Sequence, residues 1–141
     1  MYERKMLGLD EADRIVDAII AHTKKEKGVP ISIAVVDYRG DLIKFVRMDG
    51  APWNTARMAQ VKAYSAAKLR RDTHVIAERI QQLGAQLTDW ADPNMTSIGG
   101  GVCIREQQAP DGPVIGAVAV SGWPKPEVDA EYARIGIAAL E

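Results

Sequence analysis

Three groups of residues in this sequence are of types that carry out chemistry in proteins. Lys62 stands among small and apolar residues, where lost hydration would lower its pKa and let it act as a base or a nucleophile, although a solvated helix lysine is the simpler interpretation. His74 suits an acid or base, a ligand of a metal or haem iron, or a residue of a helix start. Gly99-Gly100-Gly101 would either hold an anion with its backbone N–H groups or form a bend where a strand begins.

Two arginines lie just before His74. Arg70 and Arg71 fall at the predicted junction of two helices, and arginine pairs with carboxylates through two parallel hydrogen bonds. Asp72 and Thr73 are typical helix-capping residues, which gives both a structural role that needs no ligand. The sequence therefore indicates a site for an anion here without excluding plain helix capping.

Three further residues have open interpretations. Asp49 ends a predicted strand and either binds a ligand or caps a turn. Trp123 lies in a predicted loop, where it would line an apolar pocket or contact another subunit. His22 lies near the end of the first predicted helix, where the helix dipole favours a cation, and it is the alternative to His74 as a ligand.

The hydrophobic patterns of the sequence predict the helices and strands on which these residues lie. Helices are predicted over about 10–27, 55–70, 72–83 and 126–140. Strands are predicted over 31–36, 42–48, 102–104 and 114–120. The first two strands are joined by residues 37–40, too few for a parallel crossover, so they form an antiparallel hairpin.

The second predicted helix is rich in small residues, which would let it pack closely against a sheet or another subunit. These residues are Ala56, Ala59, Ala63, Ser65, Ala66 and Ala67. Because the hairpin implies antiparallel pairing, the fold class is predicted as α+β. We expect a three-layer α/β/α sandwich around an antiparallel sheet of about five strands, the fifth lying before Gly99.

Composition and charge exclude several classes of protein. The 141 residues predict one domain over the whole chain, 1–141. Lys and Arg number 18 and Asp and Glu 19, so no surplus positive charge is available for nucleic acid or a polybasic membrane contact. Cys103 is the single cysteine, which excludes an intrachain disulfide, and with only two histidines no metal site rich in His and Cys is expected.

The N-terminus is charged and its apolar stretch is interrupted, unlike a secretory signal. No segment approaches the roughly 18 apolar residues of a membrane span. The expectation is a cytoplasmic protein with no membrane partner.

Six stretches, in their order and spacing, resemble one known family. They are 29–37 with Gly40, 47–51, 62–66, 73–74, 99–102 and 114–122. On these residues the chain resembles the GlcG/HbpS family of haem-degrading proteins, which includes the C-terminal domain of PduO. The resemblance spans about residues 9–140.

The resemblance implies a profilin-like sandwich with a five-stranded antiparallel sheet, homo-oligomers, and binding of haem or a corrinoid-related ligand. Carried onto this sequence, it implies a pocket formed by Arg47, Asp49, Lys62, Thr73, His74, Gly99, Gly100, Gly101, Ser121 and Gly122, to which Arg70 and Trp123 are added as neighbours. The sequence departs from the family pattern around Ile98, at 102–103 and at 123–126, which indicates a reshaped pocket.

Three functions compete. The favoured one is a small-ligand-binding protein, with haem or a related carboxylate-bearing compound as ligand. The alternative is an enzyme, an isomerase, lyase or hydrolase of an organic acid in a catabolic pathway. In that enzyme Lys62 or His74 would move a proton and the glycine N–H groups would stabilise an oxyanion. The third is a structural or regulatory oligomer without ligand chemistry.

Overall fold

The computed structural model describes residues 1–141 and contains four α-helices and one antiparallel sheet. The helices are α1 (Leu9–Lys25), α2 (Thr55–Leu69), α3 (Thr73–Leu83) and α4 (Pro126–Ala138). The strands are β1 (Ser32–Asp37), β2 (Leu42–Arg47), β3 (Gly101–Arg105) and β4 (Val114–Ser121). The α+β prediction is confirmed, and the predicted helices and strands lie close to the observed ones.

The sheet has four strands in the order β2-β1-β4-β3, all antiparallel. The predicted hairpin of β1 and β2 is present and places Ser32 opposite Arg47. β4 returns along the other side of β1, so that Ser32 also lies opposite Ser121. β3 then pairs with the outer side of β4.

This register gives the sheet two ends of different character. Arg47, Ser121 and Gly101 lie at one end, which we call the glycine end. Asp37, with the β1–β2 turn that follows it, and Arg105 lie at the opposite end, which we call the turn end. Four or five residue steps along a strand, from Gly101 to Arg105 or from Ser32 to Asp37, separate the two ends by roughly 13–16 Å.

Helices cover both faces of the sheet. Alternate residues of β1 show the division, since Ile33 and Val35 pack with α1 and α4 whereas Ala34 and Val36 pack with α2. The α2 side is built almost entirely from small residues: Ala59, Ala63, Ala66 and Ala67 on the helix, and Ala34, Ala117 and Ala119 on the sheet. The small-residue helix therefore packs closely on the sheet, one of the two roles that the sequence left open.

The expected fifth strand before Gly99 is absent. Residues Leu87–Trp90 form a short 3₁₀ turn, and 91–100 follow without regular structure. Side chains take the place of a strand ladder there: the Thr96 N–H donates to Ser65 Oγ at 2.9 Å, and the Ile98 N–H donates to Thr96 Oγ1 at 3.2 Å. Pro93 has no backbone N–H to donate, and the contact of Thr96 with Ser65 of α2 cannot be read from the local sequence, so the prediction of a fifth strand was wrong.

Candidate functional site

Lys62 is buried at the glycine end, against the predicted loop after β4. α2 presents it toward the sheet, and only 2% of its side chain is exposed. Its ammonium donates to Asp129 Oδ2 at 3.1 Å and to the Val120 carbonyl at 3.2 Å. Asp129, on the first turns of α4, is equally buried, and its other oxygen accepts the Trp123 N–H at 3.0 Å.

Burial dominates the electrostatics of this pair. Loss of hydration lowers the pKa of Lys62, and the charge and hydrogen bond of Asp129 oppose that shift. Loss of hydration likewise raises the pKa of Asp129, against the influence of Lys62 and the Trp123 N–H. Each group is thus stabilised in its charged form mainly by the other.

The glycine triplet encloses Lys62. A Cβ on Gly100 would lie 2.8 Å from Lys62 Nζ, and Gly100 has a φ of +123°, which few other residues adopt. A Cβ on Gly101 would lie 2.5 Å from the Lys62 backbone oxygen. Gly100 and Gly101 therefore allow the start of β3 to pack closely against α2 and α4. Of the two roles suggested by the sequence, this agrees with a bend where a strand begins.

Thr73 completes this packing. Its Oγ1 accepts the Gly101 N–H at 3.0 Å and its hydroxyl lies 3.4 Å from the Gly101 carbonyl oxygen. The next outward N–H of β3, that of Cys103, donates to Asp72 Oδ1 at 2.9 Å. Side chains at the start of α3 thereby accept the unpaired N–H groups on the outer edge of β3. Asp72 and Thr73, which the sequence suggested as helix caps, bind a strand instead.

His74 lies one residue further on and faces a groove between α3 and α4. The groove has a volume of about 370 Å³. Its lining residues, which define the α3–α4 groove, are His74, Glu78, Pro126, Glu127, Ala130, Glu131 and Arg134. Gly99 closes one end, since a Cβ there would lie 3.2 Å from Pro126 Cβ and 3.9 Å from His74 Cβ. Lys62 does not line the groove.

The groove carries charges of both signs. α3 contributes His74 and Glu78 to its lining, and α4 contributes Glu127, Glu131 and Arg134. Arg134 Nη2 lies 3.9 Å from Asp72 Oδ2, and half of the Arg134 side chain is exposed, so this ion pair is weak and its guanidinium remains available. Such a groove suits a ligand that both donates and accepts hydrogen bonds.

Trp123 packs away from the groove. Its ring lies 5.4 Å from that of Tyr132, which in turn contacts the His22 ring edge to face at 4.9 Å. The indole Nε1 is buried without a hydrogen-bond partner. Ser121 and Gly122 connect this aromatic group to the end of β4, so all three predicted residues lie at the glycine end.

The remaining predicted site residues are not brought to the groove. Arg47 and Asp49 are exposed around the end of β2, and Arg47 is two strands, or about 10 Å, from Ser121. Arg70 lies at the turn end, where it donates to the Tyr38 carbonyl. The exposed Arg71 follows it and contacts the Leu69 carbonyl at 3.4 Å.

Sequence reasoning missed Asp129 and Arg134. Both lie on α4, where an acidic residue in the first turns is explained by the helix dipole alone. The one available signal was the position of Asp129, which lies on the same helix face as Ala130 and Ala133 rather than among the polar residues. A buried lysine needs a carboxylate partner, but 67 residues separate this pair in the chain.

Comparison with known proteins identifies the family. The family described as "Haem degrading protein HbpS-like" matches residues 7–138. The chain belongs to the HbpS-like family. The resemblance in the sequence is thereby confirmed.

Protein GlcG of Escherichia coli K12 is 34% identical over 113 residues, covering 78% of this chain and 80% of GlcG. An uncharacterised 15.0 kDa protein of the dhaT–dhaS intergenic region of Citrobacter freundii is 37% identical over 101 residues, covering 69% of this chain and 67% of that protein.

Solved structures agree with this HbpS-like assignment. A crystal structure of HbpS superimposes with a TM-score of 0.85 at 27% identity, covering all of this chain and 94% of that one. A crystal structure of a PduOC–haem complex superimposes with a TM-score of 0.81 at 26% identity, covering 95% of this chain and 94% of that one. None of the helices is long and apolar enough to cross a membrane.

The α3–α4 groove does not fit the face of a haem. Sites for a large flat ligand are lined mostly by apolar and aromatic side chains and span about 300–1,000 Å³. The groove lies at the low end of that range, and Pro126 and Ala130 are its only lining residues without a polar or charged side chain. His74 offers an imidazole, but with three glutamates in the lining there is no apolar surface on which a porphyrin ring could stack.

Proposed function

We propose that this HbpS-like chain binds a small organic ligand in the α3–α4 groove, and that the ligand carries a carboxylate together with hydrogen-bond-donating groups. The observation that carries the proposal is the lining of the groove: one imidazole and one guanidinium among three glutamates, in a volume of about 370 Å³. That volume suits a small molecule rather than a peptide.

The charges of the groove define the ligand class. Arg134 would pair with a carboxylate of the ligand, since guanidinium and carboxylate match in geometry. The glutamates would accept hydrogen bonds from amino or hydroxyl groups, and His74 would either donate or accept. A dianion without donor groups would be repelled by Glu78, Glu127 and Glu131.

The relatives support ligand binding in general. The PduOC structure is a haem complex, and haem also carries carboxylates. Haem is therefore tested beside small organic acids, although the polar groove favours the latter. Homo-oligomers and a cytoplasmic location remain predictions from the sequence.

The test is a binding screen at constant ionic strength. Small organic acids with and without amino or hydroxyl groups are tested by ligand-detected NMR, and haemin by titration followed by gel filtration and absorbance. We expect saturable binding of an acid that also carries donor groups. Arg134→Gln should weaken it about tenfold, the loss of roughly 1.4 kcal/mol.

Arg79→Gln is the matched control. Arg79 is an exposed arginine on α3 outside the groove, so its loss changes the net charge equally and should leave binding unchanged. Binding that is indifferent to both Arg134→Gln and His74→Ala would exclude the groove. A haemin band that co-elutes with the protein and is lost in His74→Ala would identify haem as the ligand instead of an organic acid.

An enzymatic function is a second candidate, favoured by one observation. Burial lowers the pKa of Lys62, as a proton-transferring lysine requires. Against it, Lys62 is shielded by Gly100 and held by Asp129, so a substrate in the groove would not touch it. If a bound acid proves to be converted, a folded Lys62→Met variant with undiminished turnover would remove Lys62 from the reaction.

A further inference from the structure

Three arginines lie close together at the turn end of the sheet, two of them against the ring of Tyr38. Arg4 Cζ lies 4.0 Å from the centre of the Tyr38 ring, and Arg70 Cζ lies 5.4 Å from it. Arg105 Nη2 lies 3.4 Å from the Arg70 backbone oxygen. We call Arg4, Arg70 and Arg105 the arginine cluster.

No carboxylate pairs with this cluster. The cations of the chain that lie within 4.0 Å of a carboxylate are Lys5, Arg39, Lys44, Lys62 and Arg134. Burial and the positive charge of Arg4 lower the pKa of Arg70, Cys103 and Tyr38 oppose that shift, and no carboxylate is among the groups that act on it. The charges of Arg4 and Arg70 therefore lie close together without a carboxylate partner.

Neutral backbone carbonyls hold the three side chains in place. Arg4 Nη2 donates to the Val114 oxygen at 2.9 Å, and Arg105 Nη1 donates to the Gly112 oxygen at 3.0 Å. Arg70 Nη1 donates to two backbone carbonyls. Each guanidinium has five N–H donors, so most donors stay free while the side chains are already ordered.

We propose that the arginine cluster is a binding site for a small oxyanion, a phosphate or dicarboxylate group with several acceptor oxygens. Guanidinium groups bind such groups through paired hydrogen bonds, and the anion would offset the repulsion between Arg4 and Arg70. A cavity of about 400 Å³ lies on the Arg4 side of the cluster; Glu3, Lys5 and Glu106 also line it, whereas Arg70 and Arg105 do not. Glu106 is compensated there by Lys5 at 2.7 Å.

The size of the anion follows from the rest of the chain. Glu3 and Glu106 border the cavity beside Arg4, and a net charge of −1 leaves no surplus of positive charge for a polyanion, so the proposed ligand is small. The cluster shares no residue with the α3–α4 groove, and its loss would leave the proposed function untouched.

Inorganic phosphate is the first probe. Binding is measured by ³¹P NMR line broadening and by thermal unfolding in phosphate against sodium chloride of equal ionic strength. We expect saturation at millimolar concentration or below, with Arg4→Gln and Arg105→Gln each weakening binding by about fivefold or more. Both variants are first shown to be folded in chloride at the temperature of the titration, and each thermal shift in phosphate is measured against the same variant in chloride.

Arg39→Gln is the matched control because Arg39 adjoins Tyr38 in the chain but is already paired with Asp41 at 2.6 Å. It should weaken phosphate binding less than about twofold. Equal weakening by Arg39→Gln, or no saturation up to about 50 mM, would overturn the site. Succinate and glycerol phosphate, titrated in parallel, decide whether the site prefers a dicarboxylate or a phosphate ester.

Discussion

The two ends of the sheet handle positive charge in opposite ways. At the glycine end, Lys62 is withdrawn from water, so a dedicated carboxylate, Asp129, must accompany it. At the turn end, the arginine cluster stays partly hydrated and is held by neutral carbonyls, so its charges remain free. Lys62 therefore contributes to the stability of the fold, whereas the guanidinium groups of the cluster keep free donors.

The largest loss of stability is expected when the buried pair of Lys62 and Asp129 is broken. Asp129→Ala leaves the Lys62 ammonium desolvated without its carboxylate, which should lower the free energy of unfolding by about 3–5 kcal/mol. Urea unfolding at pH 7 measures it. Arg4→Gln at the turn end should cost no more than about 1 kcal/mol, since it removes one hydrogen bond and a contact with the Tyr38 ring.

Replacing both partners separates pairing from packing. In Lys62→Met with Asp129→Leu neither side chain carries a charge, and most of the stability lost in Asp129→Ala should return. If the double variant is as unstable as Asp129→Ala, the shape of the side chains rather than their charge determines the stability of the glycine end.

The glycine triplet should respond unequally to added methyl groups. Gly101→Ala places a Cβ 2.5 Å from the Lys62 backbone oxygen, which cannot move aside, and should cost about 1–3 kcal/mol. Gly99→Ala meets Pro126 Cβ at 3.2 Å and should cost clearly less. Thermal unfolding of the two variants compares them directly, and equal losses would contradict the packing role of Gly101.

A smaller, pH-dependent effect is expected near the turn end. Tyr64 donates its hydroxyl to Asp92 Oδ2 at 2.6 Å, and this hydrogen bond, with burial, raises the pKa of Tyr64 to about 12. Its stabilising contribution is complete below the ordinary tyrosine pKa of about 10 and is lost as the pH rises toward 12. Tyr64→Phe should cost about 0.5–1.5 kcal/mol at pH 8 and progressively less above pH 10.

Absorbance titration at alkaline pH checks the same contact independently. The pKa values of Tyr64 and Tyr132 are both raised, so the folded protein should show a late-ionising component, and Tyr64→Phe should remove the part of it that belongs to Tyr64. A difference in stability between parent and variant that stays constant up to pH 12 would exclude the hydrogen bond as its cause.

The smallest expected effect concerns Cys103, which lies between the two ends on β3. Burial raises the pKa of its thiol to about 12, and Sγ donates to the Ala66 carbonyl at 3.3 Å. At pH 8 the folded protein should therefore react with iodoacetamide only as fast as it unfolds, while the urea-unfolded chain reacts at once. Rapid labelling of the folded chain would show that β3 opens locally.

Particular elements show how far sequence reasoning reached. Pro126 at the start of α4 and Gly84 after α3 mark helix ends that the structure reproduces, because these signals act within one turn. The fifth strand failed because residues before Gly99 bond to side chains of α2, which no local pattern reveals. Within the candidate site, Lys62, Thr73 and the glycines do lie together, but Arg70 lies at the other end of the sheet.

Periodicity, capping residues and the order of the motifs can all be read along the chain. They were sufficient to predict the helices, most strands, the α+β class and the family. Only the tertiary structure decided which charges are paired. Asp129 meets Lys62 because α4 and α2, which cover opposite faces of the sheet, both reach its glycine end. Arg4 and Arg70 come from distant segments and meet at Tyr38, and Arg105 reaches the backbone of Arg70. Electrostatic interactions depend on distance and burial in space, and separation along the chain specifies neither.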